Sequence, residues 1–268
     1  MADSHSADDY CYRHPTRVSY VLCQRCGNTI CGDCQIPAAV GVHCPDCAKE
    51  ARKNQPKIRR TQRDSAPVTF GLLGVMAIVY LGQLVTGGAL TNALLYWPPL
   101  TVMEPWRMLT SLFVHSESSF FHILFNGYSL FVLGTLLERL LGSSRFFWLF
   151  MVSGLGGSAA VLWLAPGSAV VGASGAIFGL FGALLVIQRS FGVTNPQLMI
   201  VLGINLVMGF VVPGISWQAH VGGLLTGLMI AWGLVKARES HQKAGTVGIF
   251  ALVIGVIAVA TIARFVLA

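Results

Sequence analysis

The chain has 268 residues, of which 54% are hydrophobic and only 11% charged, and its formal net charge is +7. A soluble domain carries about a quarter charged residues, so this balance excludes an ordinary soluble enzyme and indicates an integral membrane protein. The polarity is also segregated, because Glu104, Glu117, Glu138 and Glu239 are the only acids after Asp64. A small polar N-terminal part followed by a large apolar one is expected.

Residues 1–10 read as a flexible N-terminus. All seven cysteines then fall between residues 11 and 47, arranged as Cys11-x-x-His14, Cys23-x-x-Cys26, Cys31-x-x-Cys34 and Cys44-x-x-Cys47. Each pair can offer two ligands from one tight knuckle, and four pairs supply two tetrahedral zinc ions. The short gaps predict interleaving, with Cys11, His14, Cys31 and Cys34 on one metal and Cys23, Cys26, Cys44 and Cys47 on the other. His43, beside Cys44, is an alternative donor. A disulfide framework is the competing use of such a segment. The odd cysteine count and the histidine in the eighth place argue against it. Residues 11–47 resemble a B-box-type zinc finger. Zinc closed in by four protein ligands has a structural role, since no position is open for chemistry, and a module this small depends on it for stability. A regulatory role, or a cytoplasmic protein partner, is the expectation for this finger.

Residues 48–67 read as a linker, with Arg52, Lys53, Lys57, Arg59, Arg60 and Arg63 against Glu50 and Asp64. A basic run directly before a hydrophobic span marks the cytoplasmic side and meets anionic lipid headgroups, so no nucleic-acid partner is expected. The first apolar stretch begins only near residue 68, too late for a cleavable signal peptide.

Seven apolar spans follow, at about 68–86, 119–141, 146–165, 170–188, 197–213, 217–235 and 247–267, judged against the roughly 20 residues that cross a hydrocarbon core. Arg139 and Arg145 follow the second span, Arg189 the fourth, and Lys236, Arg238 and Lys243 the sixth, whereas the connections "APGS" and "PGIS" carry no charge. That asymmetry places the N-terminus inside and the C-terminus outside. The even-numbered spans then run inward, and each begins with a costly polar residue: His122 and Asn126, Ser174, and His220. All four share one depth, about 5–10 Å below the outer surface at about 1.5 Å per residue.

A serine hydroxyl becomes a nucleophile when a base takes its proton, and His220 is a histidine at matching depth. Asn126, His122 and the Ser174 backbone N–H can donate to the oxyanion that forms on attack. Elimination narrows the chemistry further. No aspartate follows residue 64 and there is no His-Glu-x-x-His, so an aspartyl pair, a Ser-His-Asp triad and a metalloprotease site are excluded from the spans. Lys236 and Lys243 lie toward the opposite face from Ser174, which leaves a Ser-His dyad.

Four motifs carry a resemblance: "GASGAIFG" around Ser174, "AHVGGLLTG" at 219–227, "HILFN" at 122–126 and "EPWRMLTSLFVH" at 104–115. Over residues 68–267 the chain resembles the rhomboid family of intramembrane serine proteases. The resemblance implies an all-α polytopic membrane fold, a six-helix core plus one C-terminal transmembrane helix, with the small zinc-binding domain in front. It also implies that Ser174 is the nucleophile and His220 the base, that His122, Asn126 and the Ser174 amide hold the oxyanion, and that catalysis needs no cofactor. Phe178 is then the ring packed on the catalytic histidine, and Gly172 belongs to the support of the nucleophile. Trp106 and Arg107 brace the first outer loop, and Gly223 and Gly227 pack the sixth span on the fourth. Such enzymes cut transmembrane protein substrates.

Three other classes are weighed. A transporter needs a midplane site with an acidic coupling residue, an adaptor anchored by its spans needs no polar cluster, and an inactive client-binding relative would be expected to lack Ser174 or His220. Intramembrane ionisable residues are functional candidates by default, and these meet from three helices. The setting expected is a plasma membrane, that of a bacterium, with a cytoplasmic finger and an outward-opening site.

Overall fold

The computed structural model describes residues 6–38, 40–54, 65–239 and 245–267. Chain contacts divide the protein into two units, Met1–Arg60 and Thr61–Ala268. Lys57, Arg59, Arg60, Arg63 and Asp64 of the expected linker, and Lys243, lie outside the described residues.

The N-terminal unit is built from short pieces. Strand β1 (Tyr10–Cys11) pairs antiparallel with β2 (His14–Val18), β3 (Ile36–Pro37) pairs with β4 (Val42–His43), and helix α1 (Pro45–Asn54) closes the unit. Its interior is six cysteines around Ile30, too little apolar matter to stabilise a fold alone. Two local features bear on the expected boundaries. Within residues 6–10 of the N-terminal stretch, Ser6 caps a 3-10 turn over Ala7–Asp9, accepting from the Asp8 N–H and donating its own N–H to Asp9. Residues 48–54 are helix rather than linker, because Pro45 stands at the first helical position and Ala48, Lys49, Glu50, Ala51 and Lys53 are good helix formers.

The second unit is helical and polytopic. Among the described residues five helices are long and apolar enough to cross a membrane: α2 (Pro67–Thr86), α5 (Phe120–Leu141), α6 (Ser143–Leu164), α9 (Trp217–Glu239) and α10 (Gly245–Val266). Two shorter apolar helices complete the set, α7 (Ser174–Ser190) with 17 residues and α8 (Pro196–Val211) with 16. Local signals fix the ends. Pro67 and Pro196 stand at helix starts, Asn195 caps α8 by accepting from the Leu198 N–H at 3.1 Å, and Gly87 ends α2 in the left-handed region, as expected for residues that suit those backbone positions.

The fourth apolar stretch, expected as a span from residue 170, becomes helical only at Ser174. Val170 forms a two-way backbone bridge with Tyr96, at 3.0 and 2.8 Å, and Gly172 has φ +114°, a conformation that suits glycine and keeps the helix from starting earlier. The connection between α2 and α5 is also more structured than its sequence suggests. It holds the short helices α3 (Ala89–Leu94) and α4 (Arg107–Thr110) and 3-10 turns over Pro98–Leu100 and Ser111–Phe113.

Helix α7 sits innermost, buried along most of its length between α6 and α9. Glycine makes this packing possible. A Cβ added to Gly223 would stand 1.8 Å from the Gly175 carbonyl oxygen, and one on Gly227 would stand 2.0 Å from that of Gly179. At the other edge, buried Glu138 on α5 accepts from the N–H groups of Val68 and Thr69 at 3.0 and 2.8 Å, and from the hydroxyls of Thr69 and Ser143. A carboxylate thus caps α2 from a neighbouring helix and satisfies donors that the helix itself leaves open.

Candidate active site and metal centres

The first turn of α7 carries Ser174, and the first turn of α9 carries His220. The close glycine contacts bring these two helix starts together, and His220 Nε2 lies 2.9 Å from Ser174 Oγ. The imidazole is nearly enclosed at 5% exposure whereas Ser174 is only half-buried, so a base is shielded while its partner hydroxyl stays reachable. Phe178, one turn beyond Ser174, stacks on the His220 ring with centroids 4.1 Å apart and planes 11° from parallel. The other ring nitrogen, Nδ1, has no hydrogen-bond partner among the described residues. Gly209 of α8 approaches it instead, for a Cβ there would stand 3.3 Å from Nδ1. The histidine is therefore held by stacking and enclosure, without a third polar member.

His122 stands in the first turn of α5. Its Nδ1 accepts from the Ser116 backbone N–H at 3.1 Å. Since a backbone amide can only donate, the neutral ring must carry its proton on Nε2. That nitrogen faces the segment before Ser174, where a Cβ on Gly172 would stand 2.8 Å from it. Gly172 is thus needed twice, for its backbone angle and for the room it leaves to His122. Asn126, one turn further along α5, is buried, gives one N–H to the His122 carbonyl at 2.8 Å, and has an Oδ1 without a partner among the described residues. It retains one N–H for another acceptor.

The loop ahead of α5 is tied to the Ser174 segment by the Tyr96–Val170 bridge and by the Gly172 N–H donating to the Ser111 carbonyl at 2.9 Å. Arg107 ties the loop internally, pairing with Glu104 and donating to the carbonyls of Asn92 and Leu95 at 2.6 and 3.1 Å. Trp106, expected to share in this brace, is 54% exposed. The polar ties run from Arg107, whose guanidinium has enough donors to gather several acceptors.

The N-terminal unit gathers its donors into two groups, Cys11, His14, Cys31 and Cys34, and Cys23, Cys26, Cys44 and Cys47, each with ligand atoms within 4.8 Å of one another. His14 turns Nδ1 to the three sulfurs at 3.3–3.7 Å, and Cys26 and Cys44 sulfurs are 3.8 Å apart. A tetrahedral zinc with bonds of about 2.0–2.3 Å separates its ligands by about 3.5–3.8 Å, so the donor set fits that ion. His43 is not in either group. It lies in β4 directly before Cys44, and adjacent residues of an extended chain point opposite ways. All seven cysteines are free thiols. Burial would push the Cys11 and Cys23 thiols up, but N–H groups of Cys31 and Arg13 on the first, and of Cys26 and Cys44 on the second, outweigh it and bring both down to about 6. Within the same groups burial and neighbouring sulfurs raise Cys34 to about 11. Four thiolates or their equivalent at one point need a cation to stay ionised together.

Sequence reasoning missed two buried polar residues. Gln83 lies inside α2, fully buried, and Glu138 is buried at 2% exposure. The signal was present in each case as a costly polar group within or at the end of an apolar span.

Residues 102–237 match the family profile described as Rhomboid domain. The chain is 35% identical over 170 residues to the rhomboid protease GluP of Bacillus subtilis (strain 168), a match covering 62% of this chain and 31% of that protein. It is 37% identical over 142 residues to the Bacillus subtilis protein YdcA, covering 51% of this chain and 70% of YdcA. A third relative, RHOMBOID-like protein 4 of Arabidopsis thaliana, is 34% identical over 139 residues, 49% of this chain and 34% of its own length. The chain therefore spans about a third of GluP and of the Arabidopsis protein.

Proposed function

Because the chain belongs to the rhomboid family, we propose that it is an intramembrane serine endopeptidase that cuts transmembrane protein substrates through a Ser174–His220 dyad. The observation that carries this reading is the 2.9 Å approach of His220 Nε2 to Ser174 Oγ, with the ring held by Phe178. A shielded imidazole aimed at a half-buried hydroxyl supports the protease reading over a non-catalytic client binder.

In this mechanism neutral His220 carries its proton on Nδ1 and accepts the Ser174 proton on Nε2 as Oγ attacks the substrate carbonyl carbon. The oxygen that becomes negative receives the Nε2–H of His122, the spare N–H of Asn126 and the Ser174 amide. The carbon–nitrogen bond then breaks, and His220 returns the proton to the leaving amine. A water then gives a proton to His220 Nε2 as its oxygen attacks the acyl carbon. Release of the acid passes that proton back to Ser174. No cofactor enters these steps.

The two cysteine-histidine groups are proposed to hold one structural zinc each. We place this unit in the cytoplasm, with the catalytic residues toward the outer face of a bacterial plasma membrane. Charge asymmetry of the connections supports that orientation.

The test is a fluorophosphonate probe applied to wild type and to Ser174→Ala in micelles. A covalent adduct on wild type alone is expected, with the same thermal unfolding midpoint for both proteins. An adduct on both, or on neither when a rhomboid protease run in parallel is labelled, overturns the assignment.

A further inference from the structure

We propose that Gln83 of α2 is a positioning residue that fixes His122 in its oxyanion-donating form. The reading rests on the proposed protease site, since it concerns the donor that faces Gly172.

Gln83 is fully buried within an apolar helix, where an unpaired amide is costly. Its side chain meets every demand by clamping one residue of the loop ahead of α5. Its Oε1 accepts from the His115 N–H at 3.0 Å, and its Nε2 donates to the His115 carbonyl at 2.7 Å and to the Thr91 hydroxyl at 2.8 Å. A flipped amide would set N–H against N–H and oxygen against oxygen, so the orientation is determined by the partners. Thr91 in turn donates to Glu117, which ties the far side of the same loop to α3.

The carbonyl held by Gln83 belongs to the same planar peptide unit as the Ser116 N–H. That N–H is the group that donates to His122 Nδ1 at 3.1 Å. Holding the carbonyl therefore fixes the plane from which the N–H points, and a hydrogen bond to the oxygen strengthens the donor at the other end of the amide. The His115 ring closes the arrangement by packing edge-on against His122, with centroids 5.2 Å apart. Freed from Gln83, the peptide can rotate, and His122 then samples the tautomer with its proton on Nδ1. In that form Nε2 presents a lone pair to a negative oxygen.

The experiment reads the ring directly. Full-length protein with nitrogen-15 histidine is compared in micelles as wild type, Gln83→Met and Gln83→Glu, with the His122 signals assigned by their loss in His122→Ala. Wild type is expected to show the proton on Nε2. Gln83→Met should shift His122 toward the other tautomer and slow fluorophosphonate labelling about tenfold, less than the hundredfold or more lost with a whole oxyanion donor. Gln83→Glu keeps the shape and the acceptor for the His115 N–H but offers at most one O–H donor in place of two N–H donors, so it should shift His122 in the same direction to a smaller extent and serves if the methionine variant fails to fold. An unchanged His122 tautomer in a folded variant overturns the proposal whatever the labelling rate. A tautomer shift in a protein whose wild type takes no label keeps the clamp and removes the protease reading instead.

Discussion

At the scale of single residues the proposed dyad has few parts. His220 has no acceptor behind Nδ1 among the described residues, so its orientation depends on the face of Phe178 at 4.1 Å and on enclosure. An aromatic pair adds about 0.5–1.5 kcal/mol beyond the area it buries. Phe178→Leu is therefore expected to slow fluorophosphonate labelling by up to about tenfold while leaving Ser174 in place. A rate equal to wild type would mean that enclosure alone holds the ring. The serine and the two site histidines were legible in the sequence because polar groups stand out against an apolar background. Gln83 carries the same polar signal but was passed over, because its partner is the backbone of a residue 32 positions away and backbone groups leave no mark on a sequence.

At the scale of elements, the approach of α9 to α7 decides whether the dyad exists at all. Nothing flexible lies at the contact points, since the atom facing Gly223 is the backbone oxygen of Gly175. Overpacking a core costs about 1–3 kcal/mol when side chains can give way, so Gly223→Ala should cost about 3 kcal/mol or more and lower labelling sharply. Gly255 of α10 has nothing within 4 Å of an added Cβ, and Gly255→Ala should change stability by no more than about 1 kcal/mol. Thermal unfolding of the two variants side by side checks the pair. The helices were readable as apolar stretches, and α6, α9 and α10 lie close to their expected limits. The start of α7 was not, because hydropathy continues unbroken through Val170 and Val171 while the backbone is diverted by Gly172 and the bridge to Tyr96.

At the scale of the whole molecule two units with different sources of stability share one chain. The helical unit buries a large apolar cluster, whereas the N-terminal unit has cysteines and Ile30 where a core would be. Metal removal should therefore separate them. A strong chelator is expected to release two zinc ions per chain and to abolish the dichroism of the N-terminal unit, because binding free energy is folding free energy in such modules. Fluorophosphonate labelling should persist. Zinc content measured on the purified chain, before and after chelation, together with the labelling rate, checks both halves of this expectation.

By itself the sequence determined the membrane class, the positions of the apolar segments, the four Cys/His pairs and the polar residues that share one depth. Each of these follows from composition or spacing along the chain, where burial and covalent geometry impose their patterns locally. Only the tertiary structure decided that Ser174 and His220 come within 2.9 Å, that His122 Nδ1 accepts from the Ser116 N–H, and that Gln83 and Glu138 are satisfied by distant backbone. Those results depend on close approach between segments far apart in the chain, and for the dyad it is glycine at the α7–α9 contacts, an absence of side chain, that permits it.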